Sequence, residues 1–180
     1  RISETPIAHI KGSYAGGKNG GVNVYAGEGD AGGFVGTISA ETKARVEFMS
    51  CYSGCSVSGA TNAGGFVGAD MLQKTTYKNC YTIGRISANG GTFAGAMHGS
   101  KVSDVSFLAG VNGDVPAVKT GSNVGNIEKT TAAQMRDAGN ARTETHAYDR
   151  TLFGKIYPFQ TVNKTGATDT NVPGVHYGDW

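Results

Sequence analysis

Residues 31–36 read AGGFVG and residues 63–68 read AGGFVG again; a looser relative, GGTFAG, stands at 90–95. A phrase written three times in one chain points to a structural unit used more than once, and such internal repeats decide the fold. A second phrase travels with the first. SCYSGCSVSGATN (50–62) leads into the second copy, NCYTIGRISANG (79–90) leads into the third, and DVSFLAGVNGD (104–114) is a degraded echo. Aligned this way, Tyr52, Tyr81 and Phe107 fall in register 29 and 26 residues apart, and Phe34, Phe66 and Phe93 recur at 32 and 27. A unit of about 26–32 residues is the length of one solenoid coil.

Within a unit the period is two. Cys51, Ser53, Cys55 and Val57 alternate with Tyr52, Gly54, Ser56 and Ser58, and Cys80, Thr82, Gly84 and Ile86 repeat the arrangement. Alternation of this kind belongs to strands. Short strands, Gly-Gly corners and a fixed unit length predict an all-β fold: a short parallel β-solenoid, β-helix-like, of about four coils stacked at the strand spacing of about 4.8 Å. Glycine is expected at the corners because a positive φ is costly for other residues. Phe34, Phe66 and Phe93 are expected to fill the interior as one row.

The glycine-rich grammar stops near residue 124, which divides the chain into repeats over 1–125 and a capping segment over 126–180. A solenoid end is hydrophobic and needs closing. Thr130 as N-cap and Gly139 at the C′ position predict one short helix in the cap, and 151–162 alternates like an edge strand with Pro158 at its limit.

GGFVG at 32–36 and 64–68, each tied to a Cys-Tyr phrase (Ser50-Cys51-Tyr52, Asn79-Cys80-Tyr81), resembles the GLUG motif of bacterial surface proteins over roughly residues 10–125, with Phe where the motif usually has Leu. The sequence around Tyr157-Pro158-Phe159 also resembles the tail that closes such arrays. The resemblance implies an extracellular, cell-surface module without catalytic residues. GLUG arrays occur in adhesins and in some immunoglobulin-A-cleaving metalloproteases, so it also implies a host protein, such as immunoglobulin or mucin, or a glycan as partner.

Composition narrows the classes further. Gly is 29 of 180 residues, but Pro is only 4 and no G-X-Y period exists, which excludes collagen. Sixteen Lys+Arg against fourteen Asp+Glu leave +2 with charges scattered along the chain. No basic run marks a nucleic-acid footprint or a polybasic membrane patch, and a polyanionic partner is not expected. No apolar stretch reaches the length of a membrane span. The start Arg1-Ile2-Ser3 is expected of a segment cut from a larger chain, monomeric in itself.

Candidate chemistry is sparse. Cys51 and Cys80 occupy matching places in successive units, which allows either a disulfide or a row of small buried thiols. Cys51-x3-Cys55 without a partner pair is a poor metal signal, so no metal and no cofactor is expected. Gly27-Glu28-Gly29-Asp30 resembles one turn of a calcium-binding roll, but a single copy has no second turn to share the ion. Asp70, Asp104, Asp114 and Asp149 are isolated, and His98 and His176 lack a carboxylate neighbour. A polysaccharide-active β-helix enzyme is therefore the alternative to a binding module, and a pure stalk unit is a third reading. The segments that vary between units, 37–49, 69–78 and 96–104, carry the mid-chain charge: Glu41, Lys43, Arg45 and Glu47, then Asp70, Lys74 and Lys78, then Lys101 and Asp104. They are expected to form arms gathered on one side. Arg45, Lys74, Tyr52, Tyr81 and Phe107 are the candidate ligand-binding residues. The three rings either form an outward ladder or pack beneath the arms.

Overall fold

A computed structural model of the chain describes residues 7–131, apart from 12, 17–21, 40–43, 60 and 88. The described residues are all-β without a helix. The first repeat contributes β1 (Ile7–Lys11), β2 (Tyr14–Ala15), β3 (Asn23–Ala26), β4 (Asp30–Gly32) and β5 (Val35–Ile38). The second contributes β6 (Arg45–Met49), β7 (Tyr52–Ser53), β8 (Ser56–Gly59), β9 (Asn62–Gly64) and β10 (Val67–Asp70). Then follow β11 (Thr75–Lys78), β12 (Tyr81–Thr82), β13 (Gly90–Gly91), β14 (Ala94–Ser103), β15 (Val105–Leu108), β16 (Val118–Val124) and β17 (Ile127–Thr130).

Each strand pairs in parallel with its equivalent one repeat away. A seven-stranded sheet runs β1-β6-β11-β14-β10-β5, with β16 also beside β14; smaller sheets run β17-β15-β12-β7-β2, β13-β9-β4 and β3-β8. β14 belongs to two wings of the large sheet, because its first half pairs with β10 and its second half with β11. The sheet curls around the interior, and the whole is compatible with a β-solenoid. One column of partners runs His9, Glu47, Thr76, Lys101, Val124, so successive repeats span 38, 29, 25 and 23 residues. Part of the shortening falls where the two wings meet, since Val35 and Val46 are 11 residues apart and their equivalents Val67 and Thr75 only 8, and a single irregularity between His98 and Ser100 marks the bend inside β14. More of it falls between β2 and β3, since Tyr14 and Asn23 are 9 apart and their equivalents Tyr52 and Ser56 only 4.

In-register parallel pairing places like side chain on like side chain. The Phe34 and Phe66 rings stack at 4.8 Å, and Phe66 and Phe93 at 5.1 Å. Phe48 stacks on Tyr77 at 5.2 Å, and this second column meets the first edge-on, with Phe48–Phe66 at 5.4 Å and Tyr77–Phe93 at 5.4 Å. Edge-to-face contact suits ring quadrupoles. Phe66, Tyr77 and Phe93 are fully buried, and Phe34 packs half-buried at the end of its column. A smaller core of Ala31, Cys55, Val57, Ala63 and Ile86 lies beneath β3 and β8.

The glycines of the repeated phrase act by close approach rather than by a left-handed backbone, which corrects the expectation of positive φ at these corners. Gly64 has no left-handed φ, but a Cβ on it would overlap the Val67 carbonyl oxygen. Gly32 and Gly91 are held against the Val35 and Ala94 carbonyl oxygens in the same way. The left-handed positions lie elsewhere. Ser50, Asn79 and Asp104, with φ of 54°, 52° and 55°, each sit one residue before Cys51, Cys80 and Val105 and turn the chain from the large sheet into the β7-β12-β15 sheet. Asn and Asp tolerate this region better than most residues.

Three other expectations change. The segments expected as arms are mostly strands, β5, β6, β10, β11 and β14, that build the large sheet. β17 carries the parallel pairing past residue 125, matching Val105 to Ile127 and Leu108 to Thr130, so Thr130 lies in a strand instead of capping a helix. The rest of that helix and the edge strand at 151–162 fall outside the described residues. Phe107 pairs with Thr82, and the partner of Tyr81 is Ser106, so the echo at 104–114 is offset by one residue from the expected alignment.

Replacing Phe66 by Ala is expected to cost about 3–5 kcal/mol of unfolding free energy in urea titrations, as for a large cavity in a packed core. A loss below about 1 kcal/mol would show that the ring columns do not hold the core. Gly64→Ala is expected to lower the melting temperature sharply. Gly36→Ala, whose nearest atom would be the Asp30 carbonyl oxygen at 3.8 Å, is expected to leave it unchanged.

Candidate binding face

The expected site residues separate into two groups. Tyr52 and Tyr81 are 1% exposed and Phe107 is 8% exposed. They are interior rings, and the outward ladder does not form. Their column is instead Tyr14, Tyr52 and Tyr81, stacked at 5.3 Å and 4.8 Å, with the half-exposed Tyr14 at its end. Alternation breaks at the corner: after left-handed Ser50, both Cys51 and Tyr52 are buried. The N-C-Y phrase is core from its cysteine onward.

Arg45 and Lys74, by contrast, are exposed. Arg45 opens β6 and Lys74 immediately precedes β11, and the register Val46↔Thr75 sets them side by side. Along β6, Phe48 points inward with Arg45 outside; along β11, Thr75 and Tyr77 are buried while Lys78 is exposed. The second half of β14 continues this with buried Ser100 and Val102 against exposed Lys101. Lys11 on β1 lies outward in the same row as Lys78, with Met49 between them. His9 and Glu47, paired across β1 and β6, form a 2.9 Å ion pair on this face when the imidazole is protonated. Lys11 escaped the sequence reading because it precedes the first recognisable phrase. The period-two pattern inside 45–49 and 74–78 was the signal that these residues form strands with one exposed face.

Asp70 differs from its expected place among the exposed charges. It is fully buried and accepts four hydrogen bonds: from the Leu72 amide at 3.1 Å, Thr75 Oγ1 at 3.0 Å, Tyr77 Oη at 2.9 Å and Ser100 Oγ at 2.6 Å. A buried carboxylate needs such donors. The network ties three repeats together at the bend between the wings, and it leaves no carboxylate oxygen turned toward a substrate. Burial holds the Tyr77 phenol well above its ordinary 10.0, and the Asp70 charge raises it further.

The remaining candidates are likewise engaged in structure. Cys51, Cys55 and Cys80 are buried thiols that form no disulfide. Burial raises Cys80 well above its ordinary 9.0, and its neighbour Cys51 adds to the rise. Asp30 accepts from Asn62 Nδ2 at 2.7 Å and Thr37 Oγ1 at 3.0 Å. Among the described residues no three His, Cys, Asp or Glu side chains gather as a metal site. No family model, curated protein or solved structure matches the chain.

Tyr77 and Cys80 give stability a definite pH dependence. Both have folded pKa values above their unfolded ones, so the stability they contribute is complete below the unfolded values and is lost as pH rises past them. Thermal melts are expected to be level between about pH 7 and 8 and to fall progressively above about pH 9. A melting temperature unchanged up to about pH 10.5 would mean that neither group is buried as described.

Proposed function

We propose that this chain is a non-catalytic binding module of a larger bacterial cell-surface protein, of the GLUG-repeat kind, built as a short solenoid of about four coils with 126–180 as its cap. The observation that carries this reading is the division of labour between recurring and varying residues. Phe66, Phe93, Cys51, Cys80 and the paired glycines recur and are buried. Arg45, Lys74, Lys78 and Lys101 vary between repeats and are exposed on one wing of the large sheet. A scaffold that spends its repeated residues on packing leaves partner recognition to the others. The partner is a host protein or glycan at the extracellular face of the bacterium.

A glycan array and a pull-down of host-secreted proteins, run with the 180-residue chain, test this. A retained ligand is expected, with affinity at least tenfold weaker in Arg45→Ala/Lys74→Ala, about 1.4 kcal/mol, and an unchanged melting temperature. No capture in either format refutes the binding reading and favours a stalk. Turnover of any glycan favours the enzyme.

A further inference from the structure

Folding concentrates charge that the sequence scatters. Eight Lys and Arg stand among the described residues, and five of them, Lys11, Arg45, Lys74, Lys78 and Lys101, lie exposed on or beside β1, β6, β11 and the second half of β14. Glu47, paired with His9, is the one acid on these strands, and Asp104 stands at the corner beyond them. Adjacent strands lie about 4.8 Å apart, so the five cations share a patch of about 15 Å on a side. Cations on adjacent strands, as with Arg45 beside Lys74, lie within the screening length of about 8 Å at physiological salt and repel one another, whereas repulsion across the whole patch is largely screened. Like charges on neighbouring strands are destabilising.

We propose that this wing of the sheet binds an anionic polysaccharide, its sulfate or carboxylate groups seated against Lys11, Arg45, Lys74, Lys78 and Lys101. The proposal rests on the binding-module reading and names the ligand class for it. Charge complementarity requires a polyanion, which reverses the expectation drawn from scattered charge along the chain. The chemistry of the face selects among polyanions. Among the described residues it presents no Phe, Tyr or Trp ring on which nucleic-acid bases stack or which anchors the centre of a protein interface; its one imidazole, His9, is paired with Glu47. Its outward apolar groups are Ile7 and the half-buried Met49, too few to enter a lipid interface. Four of the five cations are lysines, point charges on flexible stems that follow an extended chain without fixed bidentate geometry.

The test measures binding of the full chain to heparin, with neutral dextran, duplex DNA and phosphatidylserine vesicles as comparison probes. Two triple variants remove equal charge: Lys11→Ala/Lys78→Ala/Lys101→Ala on the face, and Arg85→Ala/Lys119→Ala/Lys129→Ala off it. Heparin binding is expected to weaken at least about tenfold with rising salt and in the on-face triple, and by less than about twofold in the off-face triple. Dextran is not retained. Equal losses in the two triples overturn the proposal, because attraction then follows net charge. Tighter binding to duplex DNA or to the vesicles than to heparin overturns the ligand class. If heparin is not bound while the array or pull-down returns another ligand, this proposal fails and the binding-module reading stands. If neither experiment returns a ligand, both fail.

Discussion

Stacking of identical rings at the spacing of parallel strands is the constraint on which the rest of this structure depends. Parallel strands in register repeat at about 4.8 Å, and the Phe34–Phe66 and Tyr52–Tyr81 centroids are each 4.8 Å apart. The backbone rise across the sheet is thus also the contact distance of aromatic faces. A one-residue slip would separate every such pair. Backbone packs as closely: the Val67 carbonyl oxygen leaves Gly64 no room for a side chain, and the turn into the tyrosine column is made by a residue in left-handed conformation. Asp70 adds directional hydrogen bonds where the ring columns end and the sheet bends.

Much of this was legible in the sequence because repeats carry positional information that single segments lack. The recurrence of AGGFVG placed Phe34, Phe66 and Phe93 in one column, and period two gave strands. Side-chain direction was less legible. Alternation predicts opposite faces for Cys51 and Tyr52, but the left-handed Ser50 resets the chain at a corner where both fit inside. The echo at 104–114 offered Phe107 as a match for Tyr81, whereas hydrogen bonding aligns Ser106 with it. An aromatic letter outweighed the spacing from the corner residue, which would have given the right register.

The exposed face was the least legible part. Lys11, Lys74 and Lys101 are far apart in the chain, and only the register between strands brings them onto one face. Net charge and charge runs, the usual sequence measures of a polyanion site, are blind to such an arrangement. The segments expected as arms are strands by their parallel pairing, but several of their buried positions are polar or aromatic, as with Thr75, Tyr77 and Ser100 around Asp70, so their alternation is not an apolar one.

The unequal lengths of the repeats have a mechanical consequence. Each repeat contacts mainly its neighbours, so tension applied to the two ends of the stack detaches it one layer at a time. The layers are 38, 29, 25 and 23 residues long along the His9 column, and at about 3.5 Å per extended residue each releases on the order of 8–13 nm of chain. Under such tension the stack would lengthen in graded steps. A ligand that spanned Lys11 to Lys101 would bridge four of its strands and resist their separation, and would make the chain stiffer than an empty one.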